Sequence, residues 1–320
     1  MIKNIALFFL TVILSIAVYS LFINSITPDN SEKQYEAEVL KKFAVFSPSI
    51  PDNVNFAGER LPLENFDVKE SLDNEMLANA FWHSQMMRFL KRSHRYFPII
   101  DPILKKNNIP DDFKYLAVAE SGLANVVSPA KATGVWQFMS KTGKEYGLVI
   151  NKEVDERYQL EKSTQAACDY LNEAYHKLGS WTLVAASYNM GMSGVSRQMG
   201  KQKVDSYYDL LLNSETSRYV YRIVAIKIIM QNPTNYGFHL RSTDLYPQIP
   251  THTISCDTTI NDFVEWSFNQ GINYKLLKLL NPWLRKPYLN NIEKNTYQIK
   301  IPEKGFRKFE NSKIKEESKE

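Results

Sequence analysis

The sequence predicts a mainly α-helical domain followed by a small domain that combines strands and helices. Between about residues 70 and 240, apolar residues recur at helical spacing in segments bounded by Pro and Gly. After "YPQIP" at 246–250 the pattern changes to a strand, two short helices and a second strand, a β-α-α-β unit of about fifty residues. A chain of 320 residues that is 44% hydrophobic can bury a core in each domain.

The N-terminal residues predict export. Residues 5–23, IALFFLTVILSIAVYSLFI, contain no charge, and about 20 apolar residues in a helix span a bilayer core. Lys3 precedes this run and Asp29 follows it, so the positive-inside rule leaves the N-terminus in the cytoplasm and the remainder outside. We expect residues 1–24 to be a membrane anchor or a signal peptide, with the body of the protein in the cell envelope, on the periplasmic side. The anchor is preferred because no convincing small-x-small cleavage site precedes Asn24.

Composition shifts divide the rest of the chain. The segment before residue 70 carries charges, Asn and Pro without a sustained period, and the residues after Pro302 are mostly Lys, Glu and Ser. The expected organisation is a linker at 25–69, the helical domain at 70–240, a second linker at 241–250, the small domain at 251–302 and a charged tail at 303–320.

Cap and stop signals predict the individual helices of the large domain. Periodicity starts near Glu75 and closes at Pro110, and Asp111 or Asp112 then caps a short helix that ends at Glu120. The later helices are expected from Ser140 to Tyr146, from a cap at Ser163 to Gly179, from Ser180 into Gly191, and through "ETSRYVYRIVAIKIIMQ" at 215–231.

Charge, cysteine and histidine content exclude several classes of function. The formal net charge of +4 is too small to indicate nucleic acid binding. Cys168 and Cys256 lie in different domains, and two buried free thiols are expected in preference to a disulfide between the domains. The five histidines form no metal-binding motif, so neither a metal nor another cofactor is expected.

Glu120 occupies an unusual position for a carboxylate. Leu116 and Glu120 follow Phe113 by three and seven residues, which places all three on one face of a helix. Glu120 is either a solvated residue at a helix end or a general acid. In the second case the negative end of the helix dipole and burial beside Leu116 and Trp136 would raise its pKa toward neutrality. The residues of this segment alone leave both interpretations open.

Three segments carry a resemblance to a known family. "ESGLANVVSPAKATGVWQFM", "ASYNMGMSGV" and "SETSRYVYRIVAIKIIMQNPTNYGF" resemble, in this order and spacing, the signature blocks of the family 23 lytic transglycosylases, and most closely the membrane-bound D group. The resemblance covers roughly residues 70–240 and implies a lysozyme-like helical fold of the goose type. The small domain, with "INYKLLKLLNPWLR", resembles a divergent LysM peptidoglycan-binding domain.

The resemblance implies a set of site residues. Glu120 would be catalytic, and the substrate-binding residues would be Ser121, Ser128, Gly134, Trp136, Gln137, Tyr188, Asn189, Glu215 and Tyr219. Several of them have structural interpretations as well. Trp136 could be plain core instead of a stacking surface for a sugar, Glu215 could match the dipole of a helix N-terminus, and Ser128 could be an ordinary loop residue.

The resemblance also implies the reaction. Ordinary glycosidases need two carboxylates at set separations, and along the chain no acid follows Glu120 before Glu145. The implied chemistry uses Glu120 first as acid on the bond between N-acetylmuramic acid (MurNAc) and N-acetylglucosamine (GlcNAc). Glu120 then acts as base on the muramyl 6-hydroxyl, which closes a 1,6-anhydro ring.

Peptidoglycan glycan strands and, through the N-terminal segment, a membrane are the expected partners, and the LysM-like domain is expected to act as a tether. Two alternatives stay open. One is a lysozyme-type hydrolase in which Glu215 activates water, and the other is a glycan-binding protein without activity.

Overall fold

The computed structural model of the chain describes residues 3, 11–20, 33–35, 37 and 45–307. Residues 1–47 and 48–320 form two compact units. In the first unit, residues 11–20 are helical. The rest of the expected anchor, 5–10 and 21–23, lies outside the described residues, as do residues 308–320 of the expected tail. Among the helices that are described, none has both the length and the apolar character of a membrane span.

The second unit contains the predicted helical domain and the predicted small domain, which confirms the fold class. Its helices and strands are β1 Asn55–Phe56, β2 Glu59–Arg60, α1 Phe66–Phe81, α2 His83–Lys106, α3 Phe113–Ser121, α4 Ser140–Glu145, α5 Leu160–Leu178, α6 Trp181–Met190, α7 Met192–Gln202, α8 Ser214–Gln231, β3 Thr251–Cys256, α9 Phe263–Asn269, α10 Tyr274–Leu280 and β4 Tyr297–Pro302.

Helix α8 is the centre of the helical domain. It packs against α1, α3 and α6, while α2 packs against α5. Its residues from Tyr219 to Ile229 are all buried except Arg222, and a helix that is buried on nearly every side belongs to a core. The ammonium group of Lys227 is satisfied inside this core, since Nζ donates to Asp112 Oδ2 at 2.7 Å and to the carbonyl of Asn55 at 2.9 Å. Helix α8 therefore fixes the position of α3, which carries Glu120.

The expectation of a linker at 25–69 is wrong for residues 48–69, which are folded. Strands β1 and β2 form an antiparallel hairpin whose turn has positive φ at Ala57 and Gly58 (54° and 83°). Phe56 is fully buried in the main core. Glu59 accepts hydrogen bonds from the backbone of Trp181 and Thr182, the first residues of α6, at 2.5 and 2.9 Å. Strands of two residues are too short to show the alternation of apolar and polar residues by which a strand is recognised in a sequence.

Two of the expected helix caps are wrong. Asp112 precedes α3, but its side chain makes no capping hydrogen bond; it accepts instead from Lys227 and from the backbone N–H of Ala57. Helix α5 begins at Leu160, so Ser163 lies inside it and donates to the carbonyl of Leu160. The later termini agree with the sequence, since Gly179 ends α5 with φ of 73° and Gly191 follows α6.

The small C-terminal domain is the predicted β-α-α-β unit. Strands β3 and β4 pair antiparallel, with Thr251 opposite Pro302 and Cys256 opposite Tyr297. Cys256 and Cys168 are both buried and free, as predicted. The core of this domain includes Val154 of the helical domain, so the small domain is docked on the large one and does not merely follow it in sequence.

Candidate active site

Glu120 lies at the C-terminal end of α3. Gly122 follows with φ of 60°, and a Cβ at this position would lie 2.6 Å from Cε1 of Phe89. Glycine therefore suits both the left-handed conformation and the close approach of Phe89. Arg92 Nη1 donates to the carbonyl of Gly122 at 2.9 Å. The chain turns sharply after Ser121 and leaves the carboxyl of Glu120 at the end of the helix.

The surroundings of Glu120 raise the pKa of its carboxyl. The side chain is half-buried, and its Oε1 accepts a hydrogen bond from the hydroxyl of Tyr219. Desolvation raises the pKa of Glu120 to about 7, although the Tyr219 hydrogen bond and the charge of Arg222 lower it; the charge of Glu215 raises it further. A carboxyl with this pKa is partly protonated at neutral pH and can exchange a proton in either direction.

Three residues on one face of α8 act on Glu120. Glu215, Tyr219 and Arg222 are spaced by four and three residues, which brings them to the same side of the helix. Glu75 of α1 contacts two arginines of helix α8. It is 2% exposed, accepts from Arg218 Nε at 2.6 Å and pairs with Arg222 Nε at 3.9 Å. Arg222 and Glu75 were not predicted as site residues, although the helical spacing from Tyr219 to Arg222 could have indicated the first.

The loop from Ser121 to Phe138 forms one wall beside Glu120. The backbone amides of Thr133 and Phe138 each donate to the other residue's carbonyl, at 3.0 and 3.2 Å. Ser121 Oγ donates to the carbonyl of Val135 at 2.7 Å, and Ser128 Oγ accepts from the backbone of Ala132 at 3.0 Å. Both serine hydroxyls therefore hold the loop in shape.

Gly134 and Gln137 have backbone conformations that the loop requires. Gly134 has φ of 87°, and a Cβ there would lie 1.9 Å from the carbonyl oxygen of Arg157. Gln137 also has a positive φ, 50°. Its side-chain amide donates to the carbonyls of Gly134 at 2.7 Å and Val126 at 3.1 Å. The half-buried Gln137 is thus part of the wall itself.

Trp136 does not offer a face to a sugar. Its side chain has no exposed surface, and its indole Nε1 donates to Thr164 Oγ1 at 2.8 Å. The structure therefore contradicts the expectation that Trp136 stacks on substrate and supports the alternative of a core residue. Thr164, which the sequence did not single out, provides the polar partner that a buried indole needs.

The end of α6 and the start of α8 are joined by side chains. Tyr188 donates its hydroxyl to the carbonyl of Trp136 at 2.7 Å. Asn189 Nδ2 donates to Glu215 Oε1 at 3.1 Å, and Asn189 Oδ1 accepts from Thr216 Oγ1 at 2.6 Å. Glu215 is exposed and lies in the first turn of α8. Its carboxylate therefore matches the helix dipole and also adds charge beside Glu120.

Comparison with family models defines the class of the two domains. Residues 97–210 match the transglycosylase SLT domain, and residues 252–305 match the soluble lytic transglycosylase C-terminal LysM-like domain. The chain thus contains an SLT transglycosylase domain followed by a LysM-like domain, which confirms the resemblance drawn from the three sequence segments.

The chain is also similar to individual proteins. The chain is 30% identical over 200 residues to membrane-bound lytic murein transglycosylase D of Escherichia coli K12, an alignment that covers 59% of this chain and 43% of the relative. It is 23% identical over 180 residues to a putative tributyltin chloride resistance protein of an Alteromonas species, covering 55% of this chain and 86% of that one. The chain spans less than half the length of the transglycosylase D that it matches.

A solved structure of an inactive mutant of lytic transglycosylase Slt from Pseudomonas aeruginosa is 16% identical to this chain. It aligns with a TM-score of 0.35 over 48% of this chain and 26% of that one.

Proposed function

We propose that this protein is a peptidoglycan lytic transglycosylase that cleaves the β-1,4 bond between MurNAc and GlcNAc and leaves 1,6-anhydro-MurNAc ends. The observation that carries the proposal is the environment of Glu120: a half-buried carboxyl whose pKa is raised to about 7, in hydrogen-bond contact with Tyr219. The SLT domain match and the transglycosylase D relative support the substrate class.

A single carboxyl can serve both steps of this reaction. Glu120 in its acid form donates a proton to the glycosidic oxygen, and the N-acetyl group of the substrate stabilises the positive charge that develops. The Tyr219 hydrogen bond and the positive charge of Arg222 then stabilise the carboxylate. That carboxylate accepts the proton of the muramyl 6-hydroxyl as the anhydro ring closes, so no water is consumed.

The remaining residues divide into those that shape the site and those that contact the glycan. Ser121, Ser128 and Gly134 shape the loop. We propose that Gln137, Tyr188, Asn189 and Glu215 contact the glycan, since all four keep exposed surface at the positions where the loop, α6 and α8 approach Glu120.

Product analysis in isotopically labelled water tests the proposed reaction. Purified murein is digested in H2 18O, and the muropeptides are analysed by mass spectrometry. A lytic transglycosylase gives ends that are lighter than the hydrolysis product by one water and that carry no label from the solvent. Labelled reducing ends would overturn the proposal.

A hydrolase with Glu215 as the second carboxylate is the other enzymatic candidate. It is favoured by one observation, that the charge of Glu215 reaches Glu120, and it would produce the labelled reducing ends just described. A glycan-binding protein without activity would retain murein and release no products.

Replacing Tyr219 by Phe should move the alkaline limb of the pH–rate profile. Glu120 must be protonated to start the reaction, so activity falls as pH rises through its pKa of about 7. The Tyr219 hydrogen bond lowers this pKa, and its loss should shift the limb to higher pH. Tyr208→Phe is the matched control, because the Tyr208 hydroxyl has no hydrogen-bond partner in the part of the chain that is described. The measurement is initial murein-cleavage rate against pH; a limb that stays in place in Tyr219→Phe would contradict the role of Tyr219.

We further propose that the protein is exported and held at a membrane by residues 5–23. The uncharged apolar run of the sequence supports this proposal, as does the membrane-bound relative. Cell fractionation of the full chain and of a chain starting at Ser25 tests it. Only the full chain should be found with the membrane fraction, and recovery of both in the soluble fraction would exclude anchoring.

A further inference from the structure

The segment Glu153–Arg157 lies between the LysM-like domain and the active-site loop. On one side it packs into the LysM-like domain. Val154 is 1% exposed and belongs to the core of that domain. The backbone N–H of Asp155 donates to the carbonyl of Trp283 at 2.9 Å, and the N–H of Arg285 donates to the carbonyl of Glu153 at 2.7 Å.

On its other side the same segment holds the loop beside Glu120. Arg157 is 9% exposed, and its Nη1 donates to the carbonyls of Lys131 at 3.2 Å and Phe138 at 3.1 Å. These carbonyls bracket Gly134, whose missing Cβ is what allows the backbone of Arg157 to approach. The shape of the loop therefore depends on where Arg157 lies.

Asp155 connects the two sides. Its backbone N–H is bonded to the LysM-like domain, while its carboxylate accepts from Arg157 Nε at 2.9 Å and Nη2 at 2.7 Å. A bidentate pair of this kind fixes the plane of the guanidinium as well as its position. The same guanidinium donates to both carbonyls of the loop, so a displacement of Asp155 would be expected to displace the group that holds them.

Polar contacts around Val154 make the docking specific. The carboxylate of Glu153 accepts from the backbone and side chain of Asn290 at 2.9 and 2.5 Å. Lys300 of β4 pairs with Glu161 of α5, and the guanidinium of Arg285 lies 4.2 Å from the ring centroid of Tyr158. An apolar centre with a polar rim is the arrangement of a stable interface.

We propose that the LysM-like domain is a positioning part of the active site and not only a tether. Docked on Glu153–Asp155, it holds Arg157, which holds the loop Lys131–Phe138 against Ser121 and the neighbouring Glu120. This inference rests on the proposed function for the identity of the substrate. Its structural half, the dependence of the loop on the docked domain, holds for any activity of the site.

The test compares two full-length variants that introduce the same charge in different places. Val154→Asp puts a carboxylate into the core of the docked domain and should release that domain from the helical domain. Val264→Asp is the matched control, because Val264 lies on α9 of the same domain with 40% of its surface exposed. One readout is the rate of tryptic cleavage after Lys131, which is exposed within the loop, relative to cleavage after Lys201 in α7. The other is kcat on a short, soluble, uncrosslinked glycan, on which tethering confers no advantage.

The expected result is faster cleavage after Lys131 in Val154→Asp, together with a fall in kcat of roughly tenfold or more, since misplaced groups near a reacting bond lose rate steeply. Val264→Asp should match the wild type in both. The proposal would be overturned if Val154→Asp lost only murein retention, with loop cleavage and kcat on the soluble glycan equal to those of the control. It would also be overturned if cleavage after Lys131 became faster while kcat did not change. If the wild type releases no product from murein, the proposed function fails, and the protease readout still decides whether the domain holds the loop.

Asp155→Asn provides a variant that leaves the domain core intact. It keeps the backbone bond to Trp283 and the shape of the side chain but removes the charge that holds Arg157. Thermal unfolding followed by circular dichroism establishes that it is folded. It should show the same two changes as Val154→Asp at smaller amplitude, and a loop as protected as in the wild type would exclude Arg157 as the connection.

Discussion

Replacing Glu120 by Gln should remove nearly all activity and leave the fold intact. The amide keeps the shape of the side chain and can still accept the hydrogen bond from Tyr219, but it has no transferable proton and cannot act as a base. Loss of general acid catalysis alone lowers the rate by about two orders of magnitude or more. The measurement is release of soluble muropeptides from murein, with circular dichroism as the test of folding.

The chain offers a matched control for this variant. Glu145 ends α4 and is exposed, so Glu145→Gln makes the same chemical change at a solvent-exposed carboxylate and should leave the rate unchanged. A folded Glu120→Gln variant that clears murein at the wild-type rate would show that Glu120 is not the acid. Because desolvation raises the pKa of Glu120, its replacement by a neutral amide should also not lower the free energy of unfolding at alkaline pH.

The sequence predicted the helical architecture because its signals are local. The helices that end at Gly179 and Gly191 are marked by glycines, and the β-α-α-β unit by a change of period after Pro250. The hairpin at 55–60 was missed because it has no period to detect. Its stability comes from Phe56 in the core and from Glu59 at the start of α6, and both contacts join residues far apart along the chain.

Part of the candidate site could also be predicted, because the signals for it are local in the sequence. Glu120 stood out locally, as a carboxylate on an apolar helical face, and the three similar segments led to Tyr219. The role of Arg157 depends on contacts with residues 131 and 138 on one side and with Asp155 on the other. The two loop contacts join residues that are 26 and 19 positions apart, so no short segment of sequence contains them, and an Arg near a short helix has many other uses.

Trp136 illustrates how the same residue type supports two interpretations. A Trp beside a Gln in a loop is typical of a sugar-binding surface, and the sequence favoured neither this nor a core position. The fold decides between them, because Thr164 on α5 accepts the indole N–H at 2.8 Å and the ring is wholly enclosed. A residue in such a position acts on the substrate only through the groups that it supports.

Replacing Trp136 by Ala should therefore lower the free energy of unfolding and have little direct effect on sugar binding. Removing a fully buried Trp costs about 3–5 kcal/mol of unfolding free energy through lost burial and the cavity left behind, and the hydroxyl of Thr164 would lose the indole donor while keeping its own bond to the carbonyl of Leu160. Trp82→Ala is the control, since Trp82 is 58% exposed and surface substitutions change stability by about 0.5 kcal/mol. The measurement is urea unfolding of both variants, followed by kcat and KM on soluble glycan under conditions where each is folded. A Trp136 that stacked on sugar would show the opposite pattern, a raised KM with an unfolding free energy close to that of the wild type.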